Sequence, residues 1–200
     1  MNNFIFENSS KVYFGEGCVK EYLSNIISAY GDTVMLCYGG GSIKKNGIYD
    51  EVITVLKKEN KAVVEFSGIP SNPTYSKVLE GVKLAKENNA DLILAVGGGS
   101  VIDSCKCIGY GVANEGDVWD FYSTDRRPAA CLPIGTVLTI AAAGSEMSNG
   151  CVITNEKSAL KRAYDSDLSR AKFAVMNPEL TMTLPAYQTA SGAADILMHT

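Results

Sequence analysis

The stretch Asp91-Leu92-Ile93-Leu94-Ala95-Val96-Gly97-Gly98-Gly99-Ser100 decides the fold. Six residues with only one polar member and no polar alternation predict a strand buried on both faces, as in a parallel sheet covered by helices. Three glycines then end the strand, and the run Val101–Val112 that follows reads as a helix. A second copy of the same string, Gly39-Gly40-Gly41-Ser42, follows the apolar run Thr33–Tyr38. Glycine admits a ligand close to the backbone, because no Cβ stands in the way. The N–H groups that open a following helix suit a phosphate. Two such turns, each at the carboxyl end of a strand, point to a nucleotide site that includes Gly40, Gly41, Ser42, Gly98, Gly99 and Ser100. The alternative is that the glycines serve only to build tight strand-to-helix turns. Neither turn is a G-x-G-x-x-G fingerprint, and neither continues into the Gly-Lys-Ser/Thr of a phosphate-transfer loop.

On either side of this stretch the chain alternates in the same way. Ala62–Phe66, Ala130–Pro133 and Phe173–Met176 read as further strands, and Gly47–Glu59 and Tyr75–Asn89 as helices. In the second helix Val78, Leu79, Val82 and Ala85 recur at helical spacing. The order predicts an α/β class, a Rossmann-like parallel sheet with right-handed crossovers. Cys151–Thr154 and Leu160–Ala163 read as a hairpin around Asn155–Ser158. Residues 1–184 are expected to form this α/β domain. At Leu184-Pro185-Ala186 a new helix begins, with proline in its first turn, and runs to Thr200 without a stop signal. We therefore expect residues 185–200 to be the start of a second domain in a longer molecule.

A net charge of −4 excludes the excess of Lys and Arg on which phosphate-backbone binding depends, so nucleic acid is not an expected partner. No apolar run reaches the ~20 residues of a membrane span, and Met1 to Glu16 lacks a signal-peptide pattern. These features point to a cytoplasmic protein. The six cysteines lack metal spacing and are expected as buried, reduced thiols.

Asp103 and Lys106 follow the second glycine turn. They read either as a solvated helix face or, for Asp103, as a group that steadies the loop or touches a cofactor. Asp195 and His199, four apart, project from one helix face. Such a pair serves as a hydrogen bond or as part of a metal site, and His199 is the sole histidine of the chain.

The ordered motifs Gly97-Gly98-Gly99-Ser100-x-x-Asp103-x-x-Lys106, Pro133 through Gly144-Ser145-Glu146, Asn177-Pro178-x-Leu180-Thr181 and Gly192-x-x-Asp195-x-x-x-His199 run at family spacing. The chain resembles the iron-containing (type III) alcohol dehydrogenases from about Phe4 to Thr200. Its string Tyr38 to Gly47 looks most like the butanol dehydrogenase and broad aldehyde reductase branch. The resemblance implies an N-terminal dinucleotide-binding domain followed by an all-helical metal domain, the dehydroquinate-synthase-like architecture. It implies a divalent metal, Fe(II) or Zn(II), on one Asp and three His, with Asp195 and His199 matching the first two ligands. It carries cofactor contacts to Asn72, Gly98, Gly99, Ser100, Asp103, Thr139 and Lys161. It further implies an alcohol or aldehyde substrate and a homodimer through an N-terminal strand, for which Lys11–Phe14 is the candidate.

The chain departs from the family pattern Thr-Thr-Ala-Gly-Thr-Gly-Ser-Glu, reading Thr139-Ile140-Ala141-Ala142-Ala143-Gly144-Ser145-Glu146. The alanine run removes hydroxyls and argues against direct cofactor contacts from Ala142 and Ala143. The chain departs also at Asn177 (commonly Asp) and at Ala171 (commonly Pro). NAD-specific relatives carry an acid near Gly40. Here glycine stands beside Ser42, with Lys44 and Lys45 close behind, so NADP(H) is favoured over NAD(H). The alternatives are a glycerol-dehydrogenase-like or dehydroquinate-synthase-like enzyme on the same scaffold, and a nucleotide-binding module without catalysis.

Overall fold

The computed structural model describes residue 3 and residues 7–199, the side chain of His199 excepted. Eight strands and seven helices follow one another in chain order. They are β1 (Lys11–Phe14), α1 (Cys18–Ile27), β2 (Thr33–Tyr38), α2 (Ser42–Lys45), α3 (Ile48–Lys58), β3 (Ala62–Phe66), α4 (Tyr75–Glu87) and β4 (Leu92–Gly97). Then come α5 (Gly99–Ala113), α6 (Asp120–Ser123), β5 (Ile134–Leu138), β6 (Gly150–Asn155), β7 (Leu160–Asp165), β8 (Phe173–Met176) and α7 (Ala186–His199).

Six strands form one parallel sheet in the order β1-β8-β5-β4-β2-β3. β4 shows why its sequence lacks alternation. Leu92, Leu94 and Val96 pack into the cluster with α1 and α3, whereas Ile93 and Ala95 face the cluster with α4 and α5. Both faces are buried, so every position is apolar. The chain leaves β2 toward β3 on one side, then crosses back to place β4 on the other. The strand order therefore reverses between β2 and β4, and a ligand crevice opens at such a reversal.

α4 and α5 approach closely because each offers a glycine. A Cβ on Gly81 would stand 2.4 Å from Ile108 Cδ1, and one on Gly111 2.5 Å from Val82 Cγ2. The buried face of α4 is Tyr75, Val78, Gly81 and Ala85, while Leu79 is 40% exposed, so the stripe is rotated from the expected one.

One strand lies later than its predicted position. Residues 130–133 are not in the sheet, and β5 begins at Ile134. Pro133 carries no N–H for the ladder, and Leu132 donates its own to Gly109 O at 3.1 Å. The expected hairpin is present as the antiparallel pair β6–β7. β1 lies at the sheet edge, paired with β8 alone. Among the described residues no helix is long and apolar enough to cross a membrane.

The six cysteines are free, and all but Cys131 are buried. Burial pushes the thiols of Cys131 and Cys151 up to about 12, so both stay protonated near neutral pH. Iodoacetamide at pH 8 should leave Cys18, Cys37, Cys105, Cys107 and Cys151 unmodified in the native protein and label all of them in urea. Mass spectrometry reads the result, and rapid native labelling of the buried set would contradict this packing.

Candidate functional site

Both Gly-Gly-Gly-Ser turns lie at the β2/β4 reversal. Gly39, Ser42 and Ile43 from the first line one cleft of about 240 Å³ with Gly97, Gly98 and Val101 from the second. Thr139, Ile140, Leu180, Thr183 and Leu184 complete the wall. Gly98 precedes the first turn of α5, and a Cβ there would meet Ile140 Cγ2 at 2.4 Å. At Gly40 and Gly41 an added Cβ would meet nothing within 4 Å, so that turn faces open space. The 15-residue α5 opens without a side-chain cap, which leaves backbone donors at its start for an anion.

The residues named by the family motifs converge around this cleft. Asn72, held at φ 59°, donates its backbone N–H to Ser100 Oγ at 3.3 Å. Its Oδ1 accepts from Lys161 Nζ at 3.1 Å, so the β6–β7 hairpin delivers a cation over the second turn. Thr139 N donates to Gly97 O at 3.1 Å, which fixes the strand end of β5 beside the turn. Asp103 Oδ1 accepts from Ser145 Oγ at 2.6 Å, and Oδ2 from Val152 N at 3.0 Å. Burial raises the Asp103 carboxyl, while the bonds from Ser145 and Val152 and the charge of Lys106 pull it back.

Lys106 corrects the reading of a solvated helix face, because it is fully buried. Its ammonium donates to Ser145 O at 2.8 Å, Ser148 O at 2.9 Å and Gly150 O at 2.8 Å. Three carbonyls thus take its three protons. Burial lowers its pKa, and the Asp103 carboxylate opposes that. Asp103 and Lys106 together tie the 145–152 segment to α5. A signal for this was present in the sequence, since α5 is apolar all round apart from these two charges.

Asp195 and His199 both lie on α7, one helical turn apart. The side chain of His199 lies outside the described residues. Among the described residues no group of three or more His, Cys, Asp or Glu side chains could hold a metal. α7 packs near the loop after β5, where Gly192 brings its backbone close to Ala141 O, with Thr181 and Leu184 beside it. Asn177 caps the turn at Pro178–Thr181, accepting from Glu179 N at 3.0 Å, as its replacement of an acid permits.

This scaffold, a six-stranded parallel sheet with two glycine turns meeting at its strand-order reversal, defines a Rossmann-like α/β protein. The family described as iron-containing alcohol dehydrogenase matches residues 9–178, and the chain belongs to that family. It is 45% identical over 199 residues to the probable NADH-dependent butanol dehydrogenase 2 of Bacillus subtilis, spanning 100% of this chain and 51% of that protein. It is 38% identical over 204 residues to the NADPH-dependent aldehyde reductase YqhD of Escherichia coli, again covering 100% of this chain and 51% of the relative. The crystal structure of NADH-dependent butanol dehydrogenase A from Thermotoga maritima superposes with a TM-score of 0.94 at 42% identity, over 100% of this chain and 50% of that one. The chain thus spans about half the length of the curated relatives it matches.

Proposed function

We propose that these residues form the nucleotide-binding half of a metal-dependent alcohol dehydrogenase or aldehyde reductase. The enzyme would transfer hydride between a primary alcohol or aldehyde and a nicotinamide. The observation that carries this reading is the meeting of two Gly-Gly-Gly-Ser turns at the strand-order reversal of a family member. In this role the start of α5 and Gly98, Gly99 and Ser100 hold the pyrophosphate. Asn72 and Lys161 close over it, and Asp103 and Lys106 keep the 145–152 segment in register with the cradle. Gly40, Gly41 and Ser42 leave room at the adenosine ribose for a 2′-phosphate, so NADP(H) is favoured. Thr139 borders the same cleft.

Asp195 and His199 would supply two ligands to a divalent ion, Fe(II) or Zn(II), which when bound would supply Lewis acidity toward the substrate oxygen. With two ligands present, the 200-residue chain alone is expected to show no metal-dependent turnover. The exposed edge of β1 is the proposed contact for a homodimer, and the cytoplasm the proposed location.

In the intact protein, Asp195→Ala and His199→Ala should each abolish stoichiometric metal and alcohol oxidation. Elemental analysis of purified variants reads the first and nicotinamide absorbance the second. Unchanged metal content and rate in both variants would sink the ligand assignment.

A further inference from the structure

Beside the first glycine turn lies a cluster that the cradle does not use. Glu65, the penultimate residue of β3, accepts hydrogen bonds from Tyr38 Oη at 2.7 Å and Tyr49 Oη at 2.6 Å. Tyr38 is the last residue of β2, directly before Gly39. Lys44, on the single-turn α2 that continues from Ser42, lays its Nζ 4.4 Å from the Tyr49 ring centroid and 5.3 Å from that of Tyr38. The same Nζ stands 3.9 Å from Glu65 Oε2. The two phenols lower the Glu65 carboxyl and keep it ionised, Tyr49 foremost. Lys44 is thus drawn onto the outer edge of the sheet by a carboxylate and two ring faces.

We infer that Glu65 is a specificity-determining residue that keeps Lys44 turned away from the turn Gly39–Ser42 and so limits the preference for a 2′-phosphorylated dinucleotide. This rests on the dinucleotide reading above. Lys44 stands two residues past Ser42 on the helix that continues the turn, so its ammonium is within the same local segment as a 2′-phosphate at Gly40–Ser42 would be. An exposed pair of this kind is weak and shifts easily, which suits tuning of affinity more than an absolute choice. The charge of Lys44 is set by the sequence; its direction is biased by Glu65, Tyr38 and Tyr49.

The test is calorimetric titration of the intact protein with NADPH and with NADH. Glu65→Gln should raise the ratio of NADPH to NADH affinity about fivefold, within the range of one exposed ion pair. Tyr49→Phe should move the ratio in the same direction by less. In the double variant Glu65→Gln/Lys44→Met the gain should vanish. An unchanged ratio in Glu65→Gln overturns the inference. So does a gain that survives loss of Lys44, because removal of the Glu65 charge would then act directly on the phosphate. Binding of neither nucleotide by the unsubstituted protein removes the dinucleotide reading itself, and the inference with it. Circular dichroism of each variant verifies that the exposed substitutions leave the fold intact.

Discussion

Lys106→Met should destabilise the protein by about 3–5 kcal/mol, the usual cost of removing one partner from a buried charged network. Methionine matches the length and keeps the apolar stem in place. It ends at Cε, so the carbonyls of Ser145, Ser148 and Gly150 face a methyl group that cannot donate, and Asp103 loses the charge of Lys106. Arginine should not rescue the variant, because a planar guanidinium cannot direct three protons at three carbonyls around one point. Urea unfolding followed by tryptophan fluorescence measures the change, Trp119 being the only tryptophan. A loss below about 1 kcal/mol would show that water replaces the ammonium at little cost, and the segment would then not depend on it.

Gly40→Asp should weaken NADPH binding by at least about tenfold and leave NADH within a few-fold of its starting value. The backbone there has space for the change, since a Cβ at Gly40 meets nothing within 4 Å and its φ lies outside the left-handed region. The new carboxylate would repel a 2′-phosphate and could accept a bond from a ribose 2′-hydroxyl. Titration of the intact protein with both nucleotides separates these effects. Equal loss for both would mean that the turn is needed for shape alone, and equal retention that the ribose lies elsewhere.

Much of the fold could be read from local pattern. The runs at residues 33–38, 92–96 and 173–176 are strands whose burial on both faces leaves almost no polar positions, whereas 62–66 is a strand at the sheet edge that keeps Glu65 exposed. The displaced strand shows the limit of that reasoning. Residues 130–133 are as apolar as a strand, but Pro133 denies the ladder an N–H, and the sheet takes up the chain one residue later. Lys106 failed for another reason. A lysine reads as solvated unless its helix is considered whole, and the carbonyls that receive it lie 39–44 residues away. The Asn72–Lys161 contact, spanning 89 residues, has no local trace; the resemblance named each residue separately as a cofactor contact and said nothing of their pairing. Glu65 left no trace either: Ala62–Phe66 read as a buried strand without polar alternation, but β3 is the sheet's edge, and two tyrosines of neighbouring elements reach its exposed carboxylate.

The edge strand β1 carries a consequence for biosynthesis. Its one neighbour, β8, pairs Lys11 with Phe173, about 160 residues downstream. At ribosomal rates of about 5–20 residues per second the first strand waits about 10–30 s for its partner to be made. During that interval β2, β3 and β4 can already assemble around the nucleotide cradle, because their pairings are closer in sequence. Nascent chains shorter than residue 173 therefore hold a cradle that is complete on its β2/β4 side and an N-terminal strand with its hydrogen-bonding groups unclaimed. Both glycine turns are therefore in place before the sheet has its last edge.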